Sequence, residues 1–247
     1  MDTAFIIGNG ESRNIFPIGN LKGHGTIYGC NAIYRDHPML CDHIVAVNPP
    51  MYEELTQWHN NGKESPSIHG PDDISTWDYI CEGDHEHDIP EGLKIYRVWR
   101  GGDVKKGGKI KTNDFSKARG SGCSAVLMAA ESGIKNIVIM AFDIMGAQQW
   151  EMETPSRIQN NIYKNSINYP DRASMKAYLK YEWMYQLRQT FRKFPGTNFY
   201  LINRKEYLEG NPFLRWYFDR PNIKCGIYAD LQRWITGSRD DIRWKTL

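Results

Sequence analysis

The chain has 247 residues, which suffice for one large domain, alone or with a lid or a tail, and for a substantial core. Its formal net charge of +2 is nearly neutral, which excludes a strongly basic protein that binds polyanions through overall charge. No apolar run approaches the ~18 residues of a membrane span, no signal peptide is evident, and the five cysteines are scattered without a CxxC pair, so we expect reduced thiols and a cytoplasmic location.

The first predicted element is a buried strand that ends in a glycine-rich turn. Residues 4–7 are apolar and are followed at once by glycine, which is typical of a buried strand. Gly8, Asn9 and Gly10 then allow a tight turn in which the backbone comes close to a ligand. A helix beginning near Ser12 would direct its unpaired N–H groups at a phosphate above the turn. This is the usual start of a nucleotide-binding α/β domain, although a plain turn without a ligand uses the same residues.

The turn departs from the dinucleotide-binding fingerprint. Arg13 stands where that pattern has a third small residue. The second predicted strand, residues 26–28, leads to Asn31 instead of the acidic residue that binds the ribose of NAD. We therefore set NAD aside and predict no resident cofactor.

A third strand and a helix follow, and then a stretch without strong periodicity. Residues 43–47 are predicted as a strand that ends at Asn48, and residues 51–60 as a helix. Residues 61–92 are rich in Gly, Pro, Asp and His, which predicts an insertion or a mobile loop at the edge of the sheet.

A fourth strand precedes a basic loop. Residues 93–99 are predicted as the strand, and Arg100 follows it. Residues 105–119 carry six Lys or Arg side chains, counted over Lys105, Lys106, Lys109, Lys111, Lys117 and Arg119. A solvated surface loop and a contact with an anion or a nucleic acid explain this pattern equally well.

The middle of the chain contains a βαβ unit. Gly120, Ser121 and Gly122 precede a run of small and apolar residues to Ser132, which predicts a buried helix. Residues 137–141 form an apolar strand that ends at Phe142 and Asp143. Such a unit implies parallel pairing of its strands.

The last part of the chain is predicted as a lid, a helix, a strand and a tail. Residues 147–170 are polar and could close over a site as a lid. Residues 172–194 form an amphipathic helix, and residues 199–202 a strand that ends at Asn203. Aromatic and Arg residues alternate in residues 204–247, which favours a tail packed on the core over a surface for stacking on bases.

Together these elements predict an α/β fold with a Rossmann-like, doubly wound, mainly parallel sheet. Residues 1–203 form the nucleotide-binding domain, and residues 204–247 are a C-terminal extension. Ligands of such sheets bind beyond the carboxyl ends of the strands. Asn31 and Asn48 follow two of these ends, and an amide can read a base edge or a ribose hydroxyl without adding charge.

Five short motifs in this order resemble those of the bacterial lipooligosaccharide sialyltransferases and of related phage proteins of unknown function. They are Ile6 to Ser12, Tyr28 to Asn31, Val47 to Pro49, Gly120 to Gly122 and Ala141 to Asp143. The resemblance implies a metal-independent glycosyltransferase that takes a nucleotide-activated sugar as its co-substrate and a hydroxyl group as its acceptor. The phage proteins and the basic loop add a hydroxymethylated base in phage DNA as a candidate acceptor, in the host cytoplasm.

The resemblance also assigns roles to residues of the motifs. Asn9 and Ser12, in the turn that Gly8 and Gly10 frame, would lie near the nucleotide phosphate and ribose. Asn31 and Asn48 would line the pocket for the nucleotide and the donor sugar. Gly120, Ser121 and Gly122 would contact the donor, and Asp143 would shape the floor of the site.

The catalytic base differs from that of the family. The sialyltransferases use a lid histidine, whereas this chain has no histidine after His87. Asp143 is the first candidate for the base because a buried strand end fixes its position, and Glu11 and Asp171 follow. Arg100, Arg119 and Arg172 are candidates for neutralising the leaving phosphate.

Two other interpretations stay open. His and carboxylate side chains alternate in residues 84–88, a pattern that could bind a divalent metal. A polar surface loop can show the same pattern by chance, so no metal ligand is predicted. If magnesium binds there, a phosphotransferase similar to the pterin pyrophosphokinases becomes the alternative. A non-catalytic module that binds a nucleotide or a nucleic acid is the second alternative.

Overall fold

A parallel β-sheet forms the centre of the protein. The computed structural model describes residues 2–47, 49–61, 67–69, 120–144, 161–169, 177–209, 220–238, 242, 244 and 245. Within these residues the sheet has seven parallel strands, β1 (Thr3–Ile7), β2 (Thr26–Cys30), β3 (His43–Val45), β4 (Ser67–His69), β5 (Asn136–Met140), β6 (Asn198–Asn203) and β7 (Ile223–Ile227). Their order is β4-β3-β2-β1-β5-β6-β7.

This order confirms the predicted Rossmann-like fold. From β1 the chain builds outward through β2, β3 and β4, and it then returns to the other side of β1 with β5, β6 and β7. The direction of winding therefore reverses between β1 and β5, where the carboxyl ends of the strands leave a crevice in folds of this kind.

Helices cover both faces of the sheet. Among the described residues the α-helices are α1 (Pro49–Asn61), α2 (Ser121–Glu131), α3 (Ala177–Lys193), α4 (Lys205–Glu209) and α5 (Tyr228–Ile235), and short 3₁₀ helices span Glu11–Ile15, Ile18–Leu21 and Asn31–Arg35. Alternate residues of β1 serve the two faces, because successive side chains of a strand point in opposite directions. Ile6 packs in the core beneath α2 and α3, and Phe5 and Ile7 in the core that α1 and α5 cover. Burial on both faces explains why β1 and β5 appear in the sequence as uninterrupted apolar runs.

Most element boundaries shift by one to three residues from their predicted positions. The third strand pairs only to Val45, although Ala46 and Val47 continue it as buried chain. Helix α1 begins at Pro49, since proline suits the first turn of a helix, where its missing N–H has no partner to lose. The described part of the predicted 172–194 helix is α3.

Two strands were missed by the sequence analysis. The three-residue β4 lies inside residues 61–92, where an insertion or loop was predicted, and it pairs with β3. The strand β7 pairs with β6, so the boundary predicted after residue 203 falls between two adjacent strands of one sheet. Short or mixed-polarity strands such as Ile-Lys-Cys-Gly-Ile carry little periodic signal.

The described part of the C-terminal extension packs against the sheet. Trp234 and Trp244 lie with their ring centroids 4.6 and 4.7 Å from that of Tyr200 on β6. These rings belong to the core, as the packed-tail prediction expected, and Trp234 is buried. Among the described residues no helix combines the length and the apolar character that crossing a membrane requires.

Candidate functional site

The glycine-rich turn after β1 fits closely against the chain that leaves β5. Gly8 donates its N–H to the carbonyl of Met140 at 2.9 Å, and Gly10 donates to the carbonyl of Ala141 at 3.0 Å. A Cβ atom on Gly8 would lie 2.4 Å from the Ala141 oxygen, and one on Gly10 would lie 2.4 Å from Cγ of Asp143. The protein's own packing therefore requires both glycines, whatever ligand approaches them.

Asp143 joins three elements at this edge. Its carboxylate accepts hydrogen bonds from the Ser12 N–H at 2.9 Å, from the Ser12 hydroxyl at 2.6 Å and from the Asn203 amide at 3.0 Å. The Ser12 side chain is 1% exposed, so water does not compete for these bonds. At least three of the about four lone-pair sites of this carboxylate are thus engaged within the protein, which leaves little room for a substrate hydroxyl. The geometry gives Asp143 a positioning role, and its role as a base stays a prediction.

A tyrosine extends this network. The Tyr228 hydroxyl lies 3.0 Å from Oγ of Ser12. Because the Ser12 hydroxyl gives its one proton to Asp143, Tyr228 is the donor in this pair. Burial raises the pKa of the Tyr228 phenol, so it stays protonated and can donate at neutral pH. No local pattern pointed to Tyr228, since it lies 216 residues from Ser12 and belongs to the region where no helix was predicted.

Asn31 and Ser121, which are 90 residues apart in the chain, meet at the carboxyl end of β2. The Ser121 hydroxyl donates to Oδ1 of Asn31 at 2.7 Å and accepts the Val47 N–H at 3.2 Å. Asn31 has a φ of 52°, a left-handed conformation that asparagine tolerates better than most residues. Two of the predicted nucleotide-binding motifs are therefore adjacent in space.

Helix α2 begins at the same place. Its N-cap is Gly120, which has no side chain to accept from the first N–H groups of the helix. A Cβ atom on Gly120 would lie 2.9 Å from Nε1 of Trp183, and one on Gly122 would lie 2.7 Å from the ring of Phe142. The glycines thus let α2 approach α3 and the end of β5, and the start of the helix faces the edge where Asn31 lies.

Part of the predicted lid, residues 161–169, lies on the glycine-rich turn. Ile162 donates its N–H to the Asn9 carbonyl at 2.9 Å, and Asn161 forms an antiparallel bridge with Gly10. Lys164 pairs with Glu11, the second candidate base, at 2.7 Å. The Glu11 side chain is 31% exposed, so this carboxylate lies at the rim of the site.

A buried arginine connects the turn to this segment. The Arg13 guanidinium is 3% exposed and donates to the Tyr163 hydroxyl at 2.7 Å and to Asp36 at 2.8 Å. Longer bonds of 3.4 and 3.5 Å reach the Gly8 carbonyl and Oδ1 of Asn9. In the sequence Arg13 served only to exclude the dinucleotide fingerprint, whereas the structure makes it a support of the turn.

The Tyr169 hydroxyl lies beside Asn9 and Asn31, two of the three asparagines that were predicted to bind the nucleotide. Nδ2 of Asn9 donates to this hydroxyl at 3.1 Å. The Asn31 side chain and the backbone of Ala32 also lower the pKa of the phenol, by less than burial raises it. In the sequence Tyr169 was only the penultimate residue of the predicted lid.

Several predicted residues cannot be located at the site. Asn48, Arg100, Arg119, Asp171 and Arg172 lie outside the described residues, as do the basic loop 105–119 and the His and carboxylate cluster 84–88. Among the residues that the structure does describe, no group of three His, Cys, Asp or Glu side chains could hold a metal ion. A cation that the sequence analysis missed, Arg204, follows β6 and reaches the Glu11 carbonyl at 3.5 Å.

Comparison with known proteins assigns no family to this arrangement. No protein-family model, no curated protein and no solved structure matches the chain. The resemblance to the lipooligosaccharide sialyltransferases therefore stays a prediction from five short motifs, and the candidate site is defined by the geometry at the carboxyl ends of β1, β2 and β5.

Proposed function

We propose that this protein binds a nucleotide at the carboxyl edge of β1 and β2 and transfers a sugar from a nucleotide-activated donor to a hydroxyl group. The observation that carries the proposal is the meeting of Asn9, Asn31 and Ser121 beside the start of α2, next to the point where the winding of the sheet reverses. Crevices of this kind are where open α/β sheets bind their ligands. Neutral amides suit a ribose or a base, and helix N–H groups suit a phosphate.

The chemistry of the transfer is a displacement at the anomeric carbon of the donor sugar. The acceptor oxygen forms the new bond, the bond from the sugar to the donor phosphate breaks, and its electron pair leaves with the phosphate. The first N–H groups of α2 supply fixed donors for the negative charge that develops there. The acceptor proton passes to a carboxylate, for which Glu11 at the rim is better suited than Asp143, whose carboxylate already accepts three hydrogen bonds from the protein.

Nucleotide binding is the first step to test. Isothermal titration calorimetry with CMP, UMP, UDP, AMP and GMP, with and without magnesium, measures affinity and metal dependence together. The informative variant is Asn31→Gly, which removes the amide without straining the left-handed backbone. Asn198→Ala is the matched control, because Asn198 hydrogen-bonds to Asn136 at the amino edge of the sheet.

We expect metal-independent binding of one nucleotide that weakens about tenfold or more in Asn31→Gly and stays unchanged in Asn198→Ala. Binding that needs magnesium would favour the phosphotransferase alternative. If none of the five nucleotides binds to the wild type or to Tyr169→Phe, which removes a side-chain hydroxyl that contacts Asn9, the proposal is wrong.

The acceptor requires a separate experiment. The full-length protein would be incubated with the sugar donor of the nucleotide that binds and with DNA duplexes that contain either cytosine or hydroxymethylcytosine. Transfer of the sugar to the hydroxymethylated duplex alone would identify the acceptor class. Hydrolysis of the donor without transfer would direct the search to glycans and small hydroxyl compounds.

A further inference from the structure

The hydroxyl of Tyr169 uses the same polar atoms that a nucleotide would need. Asn9 gives its amide N–H to Tyr169, and its amide oxygen accepts from Arg13. The Asn31 amide oxygen accepts from Ser121, and the Asn31 side chain is near enough to the Tyr169 hydroxyl to lower the pKa of that phenol. A ligand that is read by these two amides must therefore replace the phenol.

The segment 161–169 is held in place by contacts outside this subsite. Arg13 donates to the Tyr163 hydroxyl, and the guanidinium carbons of Arg13 and Arg35 lie 5.3 and 5.9 Å from the centre of the Tyr163 ring. Arg35 also donates to Oγ of Ser166 at 2.8 Å. The Asn168 amide donates to Glu54 on α1 at 2.6 Å. These bonds position Tyr169 without any contribution from a ligand.

The backbone of the segment is a series of tight turns, two of which require unusual conformations. Hydrogen bonds from Ser166 to the Tyr163 carbonyl and from Tyr169 to the Ser166 carbonyl close two four-residue turns. Their third residues, Asn165 and Asn168, have φ values of 66° and 64°. Asparagine reaches this region at a lower cost than most residues, but each such residue still carries a conformational cost. This cost lowers the free energy needed to release the segment.

We propose that Tyr169 is an intramolecular occupant of the nucleotide subsite and that a nucleotide binds by displacing the segment 161–169. The inference rests on the nucleotide binding proposed above. Its consequence is that the measured affinity is the intrinsic affinity reduced by the fraction of molecules in which the segment is released. Changes that weaken the hold on Tyr169 therefore tighten nucleotide binding.

The test compares Tyr169→Phe with the wild type by calorimetry, using CMP, UMP, UDP, AMP and GMP and the full chain. The substitution keeps the ring and removes the hydroxyl, so the Asn9 amide loses a hydrogen-bond partner only in the occluded state. We expect the dissociation constant to fall about threefold to tenfold. Tyr200→Phe is the control, because its hydroxyl contacts Asn136 at the amino edge of the sheet, and it should leave the affinity unchanged.

Hydrogen exchange provides a second readout that does not depend on a substitution. In the wild type the Ile162 N–H is bonded to Asn9 and the Tyr169 N–H to Ser166. A saturating nucleotide should speed up exchange of the 161–169 peptide several-fold while peptides from β1 and β5 keep their protection. A lid that closes on its ligand would instead slow exchange in this peptide.

The outcomes separate the two proposals. Binding by Tyr169→Phe at concentrations where the wild type binds nothing, or tighter binding with faster exchange, supports the occupant. Binding that is unchanged or weaker in Tyr169→Phe overturns the occupant and leaves the proposed nucleotide binding intact. If neither protein binds any of the five nucleotides, both proposals fail.

Discussion

Substituting the two glycines after β1 tests whether the turn is shaped by packing or by a ligand. The ideal Cβ atom of Gly8→Ala would lie 2.4 Å from the Ala141 oxygen and 2.9 Å from Cδ2 of Phe142. The oxygen belongs to the backbone that leaves β5, so it can move only if the pairing of β1 with β5 is disturbed. The Cβ atom of Gly10→Ala would lie 2.4 Å from Cγ of Asp143 and 2.6 Å from the same backbone oxygen.

The magnitude follows from the size of these overlaps. Over-packing a close-packed interior typically costs about 1–3 kcal/mol, and a contact with immobile backbone belongs at the upper end of that range or above it. We therefore expect Gly8→Ala and Gly10→Ala to lose about 3 kcal/mol each in the free energy of unfolding. Gly10→Ala should lose the larger amount, because it also displaces the carboxylate that holds Ser12.

Two other glycines supply matched controls. Within the described structure no atom lies within 4 Å of a Cβ on Gly19 or on Gly23, and only Gly23 has a positive φ, at 86°. Gly19→Ala should leave stability unchanged or raise it by about 0.4–1 kcal/mol, since alanine restricts the unfolded chain. Gly23→Ala should cost about 1–2 kcal/mol through backbone strain alone.

The assay is urea unfolding followed by tryptophan fluorescence, with the slope of the transition checked for each variant. A ligand-shaped turn predicts the opposite pattern, in which Gly8→Ala keeps its stability and loses only nucleotide affinity. A loss of less than about 0.5 kcal/mol in Gly8→Ala would refute the packing argument.

Three further predictions concern side chains. Asp143→Asn should lower the free energy of unfolding by about 1–3 kcal/mol, which urea unfolding measures. The new amide N–H₂ would face the Ser12 N–H or the Asn203 amide N–H₂, which now donate to the carboxylate. Burial raises the pKa of Glu54, but hydrogen bonds from Tyr34, Arg35 and Asn168 together lower it by more, so the net pKa lies below the usual 4.5. The stability that ionised Glu54 contributes is therefore present above about pH 4.5 and is lost on acidification. Between about pH 6 and pH 3 the melting temperature should fall less steeply in Glu54→Gln than in the wild type. Burial raises the pKa of the Cys41 and Cys225 thiols to about 12, so at pH 8 Ellman's reagent should react with them only after unfolding, as mass spectrometry of labelled peptides can check.

The elements that the sequence predicted well are those whose burial is uniform. The apolar runs of β1, β5 and β6 are buried on both faces. Each run has only five or six residues, which is too short for a buried helix and typical of a strand. The parallel topology followed from the alternation of strands and helices. In contrast, β4 has only three residues, and β7 carries a lysine as its second residue and a glycine as its fourth, so neither differs enough from a loop to be recognised.

The candidate site was predicted only in part, for a different reason. Asn31 and Ser121 are local features of strand and helix ends, and the fold brings such ends together. Arg13, Tyr163 and Tyr228 act through contacts between residues that are 150 or 216 positions apart, which no local pattern encodes. Local sequence therefore identified the edge where a ligand is expected, and it could not identify which side chains already occupy that edge.

This difference bears on how the polar residues at the strand ends of such a fold are interpreted. An asparagine at the carboxyl end of a strand has a donor and an acceptor that must find partners when it is buried. In this protein Asn9 and Asn31 find those partners within the chain, in Arg13, Ser121 and Tyr169. The same amides can serve a nucleotide only by exchanging one set of hydrogen bonds for another of similar strength. The nucleotide affinity at this edge is then decided by how firmly the segment 161–169 is held. Variants of Arg35 or Glu54, which hold this segment, should therefore tighten nucleotide binding as Tyr169→Phe does.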